Sequence, residues 1–148
     1  MARILILEDD AEFAELLSLD LRDMGHEADI IDSGFLALQM LADRDYDLLI
    51  ADIFIWKDGQ STSDGGLLVA GRLRILRIMK RDDKRARIPV LAISGAMVHP
   101  GNEHILRVAR NIGADDVLAK PFTPAELHEK IDALLASGPT NIEAPLRR

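Results

Sequence analysis

The sequence predicts an α/β fold: a doubly wound five-stranded parallel sheet flanked by five helices. Three observations lead there. Short apolar runs at 4–7, 28–31, 48–51, 90–93 and 117–119 alternate with stretches of helical periodicity, the pattern of strand–helix–strand crossovers. The runs at 4–7, 48–51 and 90–93 are continuously apolar, as in strands covered on both faces, and right-handed crossovers then distribute the helices over both sides. The length of 148 residues, 48% of them hydrophobic and 29% charged, suits one domain with a substantial core.

Each element has a local justification. After the first strand, Phe13, Leu16, Leu17, Leu21 and Met24 recur at helical spacing, and Gly25 stops that helix. Beyond the weaker second strand, Ser33 is a cap for a helix reaching about Asp43, with Leu38 and Leu41 inward. The third strand ends at Asp52, and 53–64 reads as loop, rich in Gly, Ser, Thr and Asp. A long helix is expected from about Gly66 to Arg81, with Leu68, Gly71, Ile75 and Ile78 as its buried stripe. Met24, Met40 and Met79 fit helix core positions. The fourth strand ends at Ser94. Ile105, Val108, Ala109 and Ile112 mark another helix, and the fifth strand runs into Lys120-Pro121. Thr123-Pro124-Ala125-Glu126 combines a capping Thr, Pro at the first helical position and Glu at the third, so a helix starts there, with Leu127, Ile131, Leu134 and Leu135 facing inward. Domain boundaries are read as 1–136, with 137–148 a short flexible tail.

Composition bounds the function. Lys and Arg total 18 against 25 Asp and Glu, a net charge of −7, which disfavours general binding to nucleic acid or anionic membrane. Without cysteine there is neither a disulfide nor a thiolate metal site, and no apolar run approaches the roughly 20 residues of a membrane span. The expectation is a soluble cytoplasmic protein, with no room in this length for a second core. Arg72, Arg74, Arg77, Lys80, Arg81, Lys84, Arg85 and Arg87 make 72–87 a basic stretch, set against only two acids, Asp82 and Asp83. Arg74, Arg77 and Arg81 share a helical face, read as a solvated face ahead of a docking surface.

In such a fold ligands bind beyond the carboxyl ends of the strands. The residues there are Glu8, Asp9 and Asp10, then Asp52, Ser94 and Lys120. Alone, each is an ordinary cap or turn residue. Together they put several carboxylates on one edge, where mutual repulsion calls for a hard cation such as Mg²⁺, held by carboxylates, water and phosphate. A hydroxyl and an ammonium beside carboxylates and a metal suit phosphoryl transfer onto Asp52.

Ile4-Leu5-Ile6-Leu7-Glu8-Asp9-Asp10, Tyr46-Asp47-Leu48-Leu49-Ile50-Ala51-Asp52, Val90-Leu91-Ala92-Ile93-Ser94-Gly95-Ala96 and Gly113-Ala114-Asp115-Asp116-Val117-Leu118-Ala119-Lys120-Pro121-Phe122 resemble the receiver domain of response regulators in two-component signalling. The resemblance spans about residues 2–136 and implies a flavodoxin-like receiver fold. It implies Asp52 as phosphoacceptor, Glu8, Asp9, Asp52 and the Phe54 carbonyl as Mg²⁺ ligands, Ser94 as the hydroxyl that meets the phosphoryl group, Lys120 as its cationic partner, and a cis bond before Pro121. Asp10 is an extra acid or a cap for the first helix. The implied partners are a histidine kinase or histidine phosphotransferase and a downstream effector protein, the signal passing by protein–protein contact or phosphorelay.

Departures from the family pattern stand out. The switch aromatic's usual place is Val117, and the loop after Asp52 is long and lacks proline. Phe54 and Ala96, two past the acceptor and two past the hydroxyl, cannot position water, so a slowly hydrolysing aspartyl phosphate is expected. Two other functions compete. Val117 and the remodelled loop favour a receiver-fold adaptor acting without phosphorylation. A hydrolase fits worse, because Ala92-Ile93-Ser94-Gly95-Ala96 lacks both glycines flanking the nucleophile of a G-x-S-x-G elbow.

Overall fold

The structure is a computed structural model that describes residues 1–52, 56–57, 60–61, 65–79, 82–94, 111 and 113–139, excluding the side chains at 56–57, 60–61, 67 and 94. Its elements follow the chain as β1 (Arg3–Leu7), α1 (Ala11–Asp23), β2 (Glu27–Ile31), α2 (Gly34–Asp43), β3 (Leu48–Asp52), β4 (Trp56–Lys57), β5 (Gln60–Ser61), α3 (Gly66–Met79), a 3-10 turn (Lys84–Arg87), β6 (Val90–Ser94), β7 (Asp116–Ala119) and α4 (Pro124–Ser137). Five strands form one parallel sheet in the order β2-β1-β3-β6-β7, so the strand order reverses at β1/β3. The described residues hold four helices. Of the further helix expected over 105–112, only residue 111, which is helical, is described.

The continuous apolar strands work as two alternating faces. Leu5, Leu7, Leu49, Ala51, Val90 and Ala92 meet α2 and α3 on one side of the sheet. Ile4, Ile6, Leu48, Ile50, Leu91 and Ile93 meet α1 and α4 on the other. Successive strand residues point to opposite faces, so each run must be apolar throughout when both faces are covered. Each fully buried aliphatic side chain contributes roughly 1.5–3 kcal/mol.

Helix starts are set by side-chain caps. Asp10 accepts from Phe13 N, Ser33 from Leu36 N, and Thr123 from Glu126 N, with Glu126 returning the bond to Thr123 N in a complete capping box. Gly25, at φ +92°, follows α1 in a conformation other residues rarely adopt.

Several sequence expectations are corrected. Leu16 is 62% exposed, and the buried face of α1 runs through Ala14, Leu17, Ser18 and Leu21. In α3 the buried stripe is Val69, Ala70, Leu73 and Arg77, whereas Ile75 is 54% exposed and Leu68, Gly71 and Ile78 are only half-buried. Met79, assigned to the core, is 74% exposed. The stretch read as plain loop contains the antiparallel pair β4–β5, with Trp56 opposite Ser61 and Lys57 opposite Gln60.

Arg77 is the largest departure, because the sequence placed it on a solvated basic face. It is fully buried and grips Asp115 through two bonds, Nη1 to Oδ1 at 3.1 Å and Nη2 to Oδ2 at 2.9 Å. It also donates to the Ile88 carbonyl at 2.9 Å and the Gly113 carbonyl at 3.4 Å. Asp115 in turn accepts from Val90 N at 2.7 Å. The guanidinium thus ties α3 to the residues that lead into β6 and β7, at the sheet edge opposite the carboxyl ends of the strands.

Candidate active site at the carboxyl ends of the strands

Register delivers the polar residues to one place. Leu7 pairs with Ala51, so Glu8 emerges beside Asp52. Asp52 pairs with Ile93, which sets Ser94 one step beyond it, and Ser94 pairs with Ala119, which sets Lys120 beside Ser94. Four strand ends therefore converge on one edge that straddles the β1/β3 reversal.

Carboxylate oxygens of Glu8, Asp9 and Asp52 all lie within 4.8 Å of one another. Glu8 and Asp52 are buried, at 2% and 5% exposure, and Asp9 is half-buried. Lys120 Nζ donates to Glu8 Oε1 at 2.9 Å and, more weakly, to Asp52 Oδ2 at 3.5 Å. Glu8 Oε2 accepts from Asp10 N at 3.1 Å, which anchors the acidic turn. The Lys120–Pro121 bond is cis.

The electrostatics follow from this crowding. Burial, partly offset by the Lys120 bond and reinforced by the charge on Asp52, raises the Glu8 carboxyl to about 7. Burial by itself depresses the Lys120 ammonium, but Glu8 and Asp52 outweigh it and leave its pKa above the ordinary value. At this spacing each ionised carboxylate pair costs about 3 kcal/mol at an effective dielectric near 20, and one lysine cannot neutralise three acids. The donor set is all oxygen, compact and anionic, which fits a hard divalent cation such as Mg²⁺.

An aromatic wall completes the site. Lys120 Nζ sits 4.2 Å from the centroid of the Phe13 ring, and Phe13 meets Phe122 edge-on at 5.9 Å. The sequence reading put Phe13 on the buried face of α1 and assigned it no part in the site.

The sequence profile described as response regulator receiver domain matches residues 4–132. The chain belongs to the response regulator receiver family. This receiver is 30% identical over 144 residues to the phosphate regulon transcriptional regulatory protein PhoB of Pseudomonas aeruginosa, covering 97% of this chain and 56% of that protein. It is also 30% identical over 136 residues to the transcriptional regulatory protein CusR of Escherichia coli K12, covering 92% and 52%. The chain spans about half the length of the curated relatives it matches. Among solved structures, a putative response regulator from Chloroflexus aurantiacus is 30% identical with a TM-score of 0.74, over 91% of this chain and 98% of that one. The receiver domain of the sensor histidine kinase PA1611 of Pseudomonas aeruginosa, solved with a magnesium ion coordinated in its active-site cleft, shares the fold at a TM-score of 0.72 and 22% identity, over 92% and 98%.

Within this receiver the structure brings together Glu8, Asp9, Asp52 and Lys120. Ser94 is placed by backbone register at the end of β6, its side chain lying outside the described residues, as do Phe54 and Ala96. Val117 is 6% exposed and packs among aliphatic neighbours, so the switch position is filled by core rather than by an aromatic ring. Among the described residues no helix is long and apolar enough to cross a membrane.

Proposed function

We propose that the protein is a phosphoacceptor switch that takes a phosphoryl group onto Asp52 from a histidine kinase or histidine phosphotransferase. The observation that carries this reading is the pocket itself: a buried Asp52 carboxylate with Lys120 Nζ at 3.5 Å and two further carboxylates within 4.8 Å. An Asp52 oxygen attacks phosphorus, the bond from phosphorus to the donor's imidazole nitrogen breaks, and the nitrogen keeps the electron pair. The product is an acyl phosphate. Lys120 neutralises charge on the phosphoryl oxygens, and the Ser94 hydroxyl donates to one of them. Glu8, Asp9, Asp52 and the Phe54 carbonyl would hold Mg²⁺, which would offset the charge gathered between the acids and the incoming phosphate.

The location that goes with this reading is the cytoplasm. The receiver domain is taken to span 1–136. It signals by binding a downstream effector protein or by phosphorelay. With Phe54 and Ala96 at the positions that influence hydrolysis, the acyl phosphate is long-lived.

A second reading, an adaptor that binds partners without phosphorylation, draws on the aliphatic Val117. Acetyl phosphate with Mg²⁺, followed by intact mass, separates the two. A gain of one phosphoryl group that persists for minutes and disappears in Asp52→Ala supports the acceptor. No adduct, and no response to beryllofluoride, supports the adaptor.

A further inference from the structure

We propose that Phe13 is a positioning residue for Lys120: its ring face holds the ammonium beside the Glu8 and Asp52 carboxylates and is itself braced edge-on by Phe122. The proposal rests on the phosphoacceptor reading and adds to it the group that sets where the essential charge sits. Lysine is a flexible chain of four methylenes with a strongly hydrated head, and its ion pairs alone do not fix its direction. Here the ammonium meets two carboxylates, Glu8 Oε1 at 2.9 Å and Asp52 Oδ2 at 3.5 Å, and also lies over an aromatic face at 4.2 Å. The ring quadrupole attracts the cation, and the ring body excludes water from that side.

The brace is built from the same segment as the lysine. Phe122 follows Lys120 by two residues and presents itself edge-on to Phe13, at an interplanar angle of 84°. That T-shaped contact fixes the tilt of the Phe13 ring. Both rings pack on the core cluster shared by α1, α4 and the sheet. A shift of α1 or of the turn after β7 therefore moves the ammonium. An aliphatic side chain at position 13 fills the space but offers no negative face.

The test compares wild type, Phe13→Leu and Phe13→Tyr in phosphorylation by acetyl phosphate with Mg²⁺, all verified as folded by circular dichroism and urea titration. Phe13→Leu is expected to slow the reaction about five- to thirty-fold, the loss of a partly desolvated cation–π contact, and Phe13→Tyr, which keeps the ring face, restores at least half the rate. By NMR the Lys120 ε-methylene protons are shifted upfield by the ring in wild type and Phe13→Tyr but not in Phe13→Leu. Wild-type uptake with a Phe13→Leu rate within two-fold of it overturns this proposal alone. No uptake by wild type overturns the phosphoacceptor reading and this proposal with it. Equal slowing in Phe13→Tyr and Phe13→Leu reduces Phe13 to packing and also overturns it.

Discussion

The buried Arg77–Asp115 pair offers a stringent test of how this fold is held. Both side chains are fully shielded from solvent, and the guanidinium makes four bonds: two to Asp115 and one each to the carbonyls of Ile88 and Gly113. Asp115→Ala leaves that cation buried with only the two carbonyls, and removing one partner of a buried pair costs about 3–5 kcal/mol. It also strips Val90 N of its 2.7 Å acceptor, adding roughly 1 kcal/mol or more. The expected loss is about 4–6 kcal/mol, a large share of the roughly 5–15 kcal/mol that holds a typical domain folded. Arg77→Met is expected to cost about 3–5 kcal/mol, because it strands the Asp115 carboxylate. The double variant removes both charges and keeps apolar bulk, so it should cost at least about 2 kcal/mol less than the sum of the two. Urea unfolding followed by circular dichroism, analysed by linear extrapolation at constant slope, measures all three. An Asp115→Ala loss below about 1 kcal/mol, or strict additivity in the double variant, would refute the argument.

Three more outcomes follow from the structure. Gly113 sits at φ +144°, and a Cβ there meets the Ala70 carbonyl oxygen at 2.4 Å; Gly25, at φ +92°, has nothing within 4 Å. Thermal melts should therefore show Gly113→Ala losing more than about 2 kcal/mol and Gly25→Ala only about 1 kcal/mol. Glu8 titrates near 7 in the fold against 4.5 ordinarily, so between those values the folded state binds more protons, and metal-free stability falls as pH rises from about 4.5 to 7. Mg²⁺ requires the ionised carboxylates, so its affinity, measured by calorimetry, should rise across pH 6 to 8 with proton release, and a flat profile would contradict the burial of Glu8. Thr123→Ala removes one half of the capping box and should cost about 1 kcal/mol by urea titration, with phosphoryl uptake unchanged.

The strand–helix alternation, the helix caps at Ser33 and Thr123, the stop at Gly25 and the acids at the strand ends are all legible in the chain's local pattern. These are local facts. A continuous apolar run, a cap three residues before the amide that donates to it and a glycine at positive φ each depend on neighbours in the chain, so they can be read in order. Even the convergence of Glu8, Asp52 and Lys120 was legible, because parallel strands share a carboxyl edge.

Tertiary structure decided what local pattern left degenerate. α3 carries apolar residues around much of its circumference, Leu68, Val69, Ala70, Leu73, Ile75, Leu76, Ile78 and Met79, so periodicity alone does not choose between two stripes on nearly opposite sides of the helix. The choice fell to Arg77, four residues beyond Leu73, whose partner Asp115 lies 38 residues away. A charge can be buried only where a distant opposite charge and carbonyls meet it, and no window of sequence contains that information. The same reason hid Phe13. Its apolarity marked it for the core, but only the packed arrangement of α1 against the turn after β7 puts its ring beneath the Lys120 ammonium.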